Sequence, residues 1–319
     1  MRLADQLLAT LSEKDRPKAE GLRKILSIIE STPTGRMLLA SAVDSHLGLI
    51  IDDSGKPLLG PDTPGGYLPG QHKLYISPSV GDAGEVPGQF EIHVLAHELT
   101  HAHQFASCDI FGSCGRKIFL NGNLHDALLV KFLEEADANS AAIQVFHEIP
   151  KSRRKYIPAQ QRGTSFYEGC HDAFGSSIRK DTRNLHNGKA RYAAFRAFYS
   201  LAEVGEHYSA GVLNTWEGEI RAGEGFLVGM LLKALKYFGD TSQFFPPPDL
   251  YSNTEKQDKI ISALAMPDGK PYLNRSVFTA AFSTSYAPEI QAQMSNLGVR
   301  RAKIRARMVP QPVPGGATP

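Results

Sequence analysis

The stretch that decides the fold is Gln89–Phe105, QFEIHVLAHELTHAHQF. Read at 100° per residue, Ile92, Leu95, Leu99 and Ala102 form one apolar stripe, while His93, His97 and His101 fall four apart on roughly the opposite face. The spacing predicts an amphipathic helix that buries the first set against a core. Within it, His97, Glu98 and His101 spell His-Glu-x-x-His. Imidazoles at i and i+4 lie one turn apart, about 6 Å at the Cβ atoms, so both can reach one metal ion. Glu98 projects about 100° round the helix from His97, where a carboxylate meets a water on that metal rather than the metal itself. That is the place for a general base. His93 reads as a plain polar helix position, and His103 points elsewhere and receives no role.

Working outward, the N-terminal residues 1–31 read as helical, with Leu3, Leu7, Leu8 and Leu11, then Leu22, Ile25, Leu26 and Ile29, on the buried side. Ser31-Thr32-Pro33-Thr34 stops that run and offers a cap for a helix over 35–43. HLGLIIDDSG (46–55) has the apolar, β-branched character of a strand closed by turn residues. GPDTPGGYLPGQ (60–71) reads as a Pro/Gly loop, and KLYISPS (73–79) as a second strand. An edge strand beside the histidine helix could hold an extended peptide by backbone pairing, and KLYISPS is the segment offered for it.

After a loop rich in small residues (106–122), Asn123 looks like the cap of a long helix over 124–148 that Pro150 ends. Its apolar stripe is Leu124, Leu128, Phe132, Ala136 and Ile143. Further helical rhythm runs through 164–204, 217–238, 256–266 and 276–297. The chain then turns basic and Pro-rich, and residues 298–319 are expected to be disordered. The expected organisation is an N-terminal helical segment (1–45), a catalytic core (46–150), a helical part completing the cleft (151–297) and that tail. The fold class is α+β, mostly helical, with a small sheet towards the N-terminal side.

Composition sets limits. A formal net charge of +2 on 319 residues gives no support for a nucleic-acid or membrane-surface partner. The most apolar run, GFLVGMLLKAL at 225–235, is too short to cross a bilayer and contains Lys233. The N-terminus lacks a cleavable signal pattern, so the chain is expected to be cytoplasmic as made, with any export taking another route. Cys108, Cys114 and Cys170 do not make a disulfide framework and are expected to be free thiols.

A catalytic zinc usually takes three protein ligands and keeps an open position. The metzincin pattern fails here, because Gln104 and Ser107 occupy the places of its glycine and third histidine. A carboxylate from the later helix is left, with Glu134, Glu135 and Asp137 as the supply.

Here the chain resembles the gluzincin group of zinc metallopeptidases, in which a Glu from a second helix completes the site within Glu-x-x-Ala-Asp or Glu-x-x-Ala-Asn. Glu135-Ala136-Asp137-Ala138-Asn139 fits the latter, whereas Glu134 has no Ala three residues on. The resemblance therefore implies zinc on His97, His101 and Glu135, with Glu134 as fallback and Asn139 orienting a ligand histidine from outside the ligand set. The phrase His97-Glu98-Leu99-Thr100-His101-Ala102 also looks like the active helix of secreted bacterial effector and neurotoxin zinc proteases. Those carry an Arg-x-x-Tyr pair that stabilises the tetrahedral intermediate, and Arg196-Ala197-Phe198-Tyr199 is the match here. The resemblance covers about residues 30–145 and most nearly suggests an uncharacterised family of bacterial proteins named as metallopeptidases. It implies hydrolysis of a protein or peptide substrate. Two rivals stand beside it: a zinc protein that regulates or binds one partner without broad proteolysis, and a helical protein carrying the motif by chance.

Overall fold

A computed structural model describes residues 1–52, 63–81, 88–108, 111, 124–153, 166–199, 201, 208–214, 217 and 253–280. Its described part is mostly helical, with one three-stranded sheet. The helix expected over 217–238 beyond Glu217, the one expected over 276–297 beyond Ala280, the tail 298–319, Cys114 and the Asn123 cap lie outside the described residues, while Val277–Ala280 is helical.

The N-terminal run forms two α-helices rather than one, α1 (Leu3–Leu8) and α2 (Ala19–Glu30). Between them, Ser12 and Asp15 close a turn through a 2.8 Å side-chain hydrogen bond, and Pro17 opens a short 3-10 turn. Helix α3 (Pro33–Asp44) begins where the sequence places a cap: Thr32 Oγ1 accepts from Gly35 N–H at 3.0 Å, with Pro33 at the first helical position. Gly35 is there for space, since a Cβ would lie 2.1 Å from Ile29 O.

Three strands follow, β1 (Gly48–Ile51), β2 (Gly65–Leu68) and β3 (Lys73–Ile76), in the order β1-β3-β2. β1 runs parallel to β3, with Leu49 opposite Leu74, and β2 runs antiparallel to it, with Tyr67 opposite Leu74. Two sequence expectations are corrected here. Residues 65–68 are not loop but strand, and KLYISPS supplies the middle strand, not an edge. The glycines of Gly65-Gly66 carry little strand preference of their own. Pairing to β3 decides their state, through a turn in which His72 takes a positive φ of 51°.

A four-residue helix, α4 (Pro78–Gly81), leads to the histidine helix α5 (Gln89–Ser107). Then come α6 (Leu124–Glu148), α7 (Phe166–Lys180), α8 (Lys189–Tyr199) and α9 (Thr254–Ala263). Ile92, Leu95, Leu99 and Ala102 are buried with α1–α3 and the sheet in one core cluster. A second cluster gathers Leu128, Phe132 and Leu133 of α6 with Phe174 of α7 and Phe195 of α8. α6 serves both clusters, since Ala142, Val145 and Phe146 near its end belong to the first. Burying a Leu or Ile fully stabilises by about 1.5–3 kcal/mol, so truncating Leu99 to Ala, with its cavity, costs about 2–5 kcal/mol.

One long-range contact fixes α6 in register. Glu148 accepts from Thr34 N–H at 2.8 Å and Thr34 Oγ1–H at 2.7 Å. Its carboxylate thereby occupies the N-terminus of α3, where orphan N–H groups and the helix dipole favour an anion.

Candidate metal centre

With α5 and α6 packed side by side, His97, His101 and Glu135 converge, and each is buried. His97 Nε2 and His101 Nε2 stand 3.0 Å apart; Glu135 Oε2 lies 3.3 Å from the first and Oε1 3.5 Å from the second. Four ligands placed tetrahedrally at 2.0–2.2 Å from zinc are about 3.3–3.6 Å from one another. The two histidine–glutamate edges meet that range and the histidine–histidine edge is slightly shorter. Two imidazole nitrogens at 3.0 Å can share one hydrogen or hold one cation between them, and the carboxylate oxygens beside both suit the cation. Burial works against charging His101, but the Glu135 and Glu98 carboxylates outweigh it and lift its pKa to about 9. Glu135 is shifted the other way: burial alone would raise it, yet Lys131 and His101 hold it well below the ordinary carboxylate range. A site that draws in protons and an ammonium group to balance its carboxylates, with two imidazoles and one carboxylate at these separations, fits a divalent metal.

Of the acidic supply on α6, only Glu135 reaches both imidazoles among the described contacts. Glu134 is buried beside it and faces Lys131 at 3.9 Å; burial pushes its carboxyl up to about 7. Asp137 is engaged elsewhere, accepting from Arg191 Nη2 and Tyr272 OH, each at 2.6 Å.

Asn139 Oδ1 lies 3.2 Å from Nε2 of His93, and Asn139 Nδ2 donates to the backbone oxygen of Glu135 at 2.8 Å. Its imidazole partner is thus His93, not one of the converging pair. His97 Nδ1 finds no hydrogen-bond partner among the described residues. His93, expected as a plain polar position, is buried at 6% exposure because α6 and α7 cover that face.

Glu98 is partly buried and points to the sheet. The backbone N–H of Tyr67 donates to Glu98 Oε2 at 2.8 Å. A Cβ on Gly65 would lie 3.1 Å from Val94 Cγ1 and 3.6 Å from Glu98 Cγ, so glycine lets β2 approach α5 this closely. Tyr199 stacks on Phe132 with ring centroids 5.9 Å apart and tilts against Phe195 at 5.3 Å. Arg196, on the same helix, is exposed. None of the described contacts joins Arg196 or Tyr199 to the converging triad.

The chain's N-terminal two thirds, residues 2–216, match the model of a family described as a putative metallopeptidase family, DUF6782. The chain belongs to that family. The match runs past both ends of the 30–145 stretch and takes in α7 and α8. The comparison with curated proteins gave no match, and neither did that with solved structures. The family is described by a metal-dependent activity, and His97, His101 and Glu135 of α5 and α6 form a buried cluster that could hold a metal ion. No helix among the described residues is long and apolar enough to cross a membrane.

Three contributors to the site escape a reading of the sequence. Lys131 donates to Glu135 Oε1 at 2.5 Å from one turn earlier on α6, an i,i+4 relationship that sequence spacing could have flagged. Gln104 lies three residues after His101 and bonds its Nδ1 at 2.9 Å, another helical neighbour open to the same reasoning. The Tyr67 N–H left no signal at all, being backbone on a strand that reads as loop.

Proposed function

We propose that the chain is a gluzincin-type zinc metallopeptidase that hydrolyses peptide bonds in a protein or peptide substrate. The observation that carries this is the triangle of His97 Nε2, His101 Nε2 and Glu135 oxygens, with edges of 3.0 to 3.5 Å. Zinc held there supplies Lewis acidity, polarising a carbonyl and bringing the pKa of a water towards 7.

The rest falls to side chains and backbone. Glu98 takes the proton of the attacking water and hands it to the departing amine nitrogen, so one carboxylate serves as base and then acid. Its Oε2 is aimed by the Tyr67 N–H, leaving Oε1 for the water. Ser77 N–H donates to Pro64 O at 2.9 Å; by antiparallel alternation Gly66 and Leu68 then face β3, while Gly65 and Tyr67 direct their backbone groups outward. With Tyr67 N–H taken by Glu98, an extended peptide pairing with the remaining outward groups of that edge lies beside Glu98, which places its scissile carbonyl near the base. Tyr199 and Arg196 are proposed to hold the developing oxyanion, Asn139 to steady the α5–α6 packing around the ligands through His93 and Glu135 O.

The test is direct. Purified wild type should hold about one equivalent of zinc and cleave a peptide library, Glu98→Gln should keep the metal without cleavage, and His97→Ala should lose both. Removing one oxyanion donor costs about 100- to 1,000-fold in rate, so Tyr199→Phe at wild-type speed removes Tyr199 from the mechanism. The likeness of the active helix to secreted effector proteases extends the proposal to a protein exported as an effector. Secretion assays with the full chain test that extension.

A further inference from the structure

His101 Nδ1 and Gln104 Oε1 are 2.9 Å apart, and the remaining bonds of Gln104 leave no doubt about which way its amide faces. Gln104 Nε2 donates to Asp137 Oδ2 at 2.9 Å and to the backbone oxygen of Glu134 at 3.0 Å. Both partners are acceptors only, so the amide nitrogen must point at them and the amide oxygen at His101. An amide oxygen can only accept. His101 therefore carries hydrogen on Nδ1, which leaves Nε2, facing His97 and Glu135, as its nitrogen for a metal.

Asp137 is in turn fixed by groups far away in the chain. Its Oδ1 accepts from Arg191 Nη2 and Tyr272 OH, each at 2.6 Å, and the Arg191 guanidinium lies over the Tyr272 ring at 4.6 Å. Arg191 and Asp137 are almost wholly buried, at 2% and 1% exposure. A charged pair taken that far out of water costs several kcal/mol per ion and is retained only with well-made hydrogen bonds.

We infer that Gln104, held by Asp137, Arg191 and Tyr272, is the positioning residue that sets the tautomer of His101 and holds it ready for the metal. It replaces the direct carboxylate–histidine contact with a carboxylate–amide–imidazole relay. The inference rests on the zinc-site reading and deepens it: α8 and the segment around Tyr272, remote from the His-Glu-x-x-His motif, act on a ligand nitrogen through Gln104. His97 has no such partner among the described residues, so the two imidazoles differ in how firmly they are held.

The test compares full-length wild type with Gln104→Met, which keeps the volume and removes both amide functions. Zinc affinity is measured by competition with a chromogenic chelator, and the His101 Nδ1–H of the zinc-loaded protein by 1H–15N correlation. Outer-shell partners of this kind contribute about 10- to 100-fold to metal affinity. Gln104→Met should weaken zinc by that factor and lose the exchange-protected Nδ1–H signal. A folded Gln104→Met with wild-type affinity and a retained signal overturns the relay, while a wild type that takes up no zinc overturns the metal-site reading and the relay with it. Should Gln104→Met not fold, Tyr272→Phe decides, since it keeps the ring over Arg191 and deletes one donor to Asp137. A smaller fall in zinc affinity supports the relay, and an unchanged affinity with only a lower thermal midpoint marks the network as structural.

Discussion

The N–H of Tyr67 donates to Glu98 Oε2 at 2.8 Å, so the outer strand of the sheet and the acidic residue of the His-Glu-x-x-His motif are joined by one hydrogen bond. The bond spends one carboxylate oxygen on orientation. It also sets the distance between the strand that would hold a substrate and the group that would move its proton.

Replacing Glu98 by Gln preserves an oxygen able to accept from Tyr67 N–H but removes the capacity to take a proton. General acid–base groups contribute about 100- to 10,000-fold. Glu98→Gln is expected to lower kcat/KM by at least that factor, with zinc content and thermal midpoint near those of wild type. Zinc content and single-turnover cleavage on the same preparation check it; loss of metal together with activity would contradict the assignment of Glu98 outside the ligand set.

The same strand makes a prediction about Gly65. A side chain there meets Val94 Cγ1 at 3.1 Å and Tyr75 O at 3.3 Å, and the backbone oxygen cannot move aside without breaking the sheet. Gly65→Val should cost about 1–3 kcal/mol through overpacking and should lift β2 from α5. Denaturant unfolding reads the first effect. A raised KM for extended peptides, larger than any change for a dipeptide substrate, reads the second.

Glu134 and Glu135 stand side by side in sequence and should separate cleanly by experiment. Glu135→Gln should lose zinc, whereas Glu134→Gln should keep it. Glu134 also gives a pH signature in the metal-free protein. Burial pushes its carboxyl up to about 7 from an ordinary 4.5. Because the folded chain holds this proton more tightly than the unfolded one, its stabilising contribution is complete below about 4.5 and is lost as pH rises through 7. Glutamine does not titrate, so the stability of Glu134→Gln relative to wild type should grow between pH 4 and pH 8. A constant difference across that range would show that Glu134 is not buried as described.

The distinction between these two carboxylates also marks how far the sequence could be read. Helical periodicity placed His97, Glu98, His101 and the core residues Leu95 and Leu99 on their proper faces, because an α-helix converts spacing into direction with little outside help. The neighbouring family pattern selected Glu135, and in the structure that residue alone of the α6 acids lies against both imidazoles. Where partners come from distant segments, spacing is silent. Asp137 appeared as one more possible ligand, yet Arg191 and Tyr272 claim it across 54 and 135 residues of chain. β2 was lost for a related reason: Gly65-Gly66-Tyr67-Leu68 becomes a strand through β3 and the space against α5, neither of which is local.

Arg191 offers a test of how costly that distant network is to disturb. Arg191→Met removes a fully buried guanidinium and leaves the Asp137 carboxylate with Tyr272 and Gln104 only. Breaking one side of a buried ion pair typically costs about 3–5 kcal/mol. Arg191→Met is expected to unfold at correspondingly lower denaturant, whereas Arg183→Met, which removes the exposed partner of Asp181, should leave the denaturation midpoint almost unchanged. Equal effects from the two substitutions would remove the argument that burial makes the Asp137 pair special.

Metal uptake should carry its own proton count. In the metal-free protein His101 titrates near 9, since burial is overcome by the Glu135 and Glu98 carboxylates. Its charged form stabilises the fold fully below the unfolded value of 6.5, and that contribution is lost as pH rises through 9. Zinc needs the same nitrogen without its proton, so binding at pH 7 to 8 must displace one proton from His101. Zinc affinity should therefore climb about tenfold per pH unit over that interval from this residue alone and flatten above about 9. Calorimetry in buffers of different ionisation enthalpy counts the released protons, and chelator competition at pH 7, 8 and 9 gives the slope. His101→Ala should abolish the uptake, while a flat wild-type profile would mean that His101 is already neutral and that the carboxylates do not govern it.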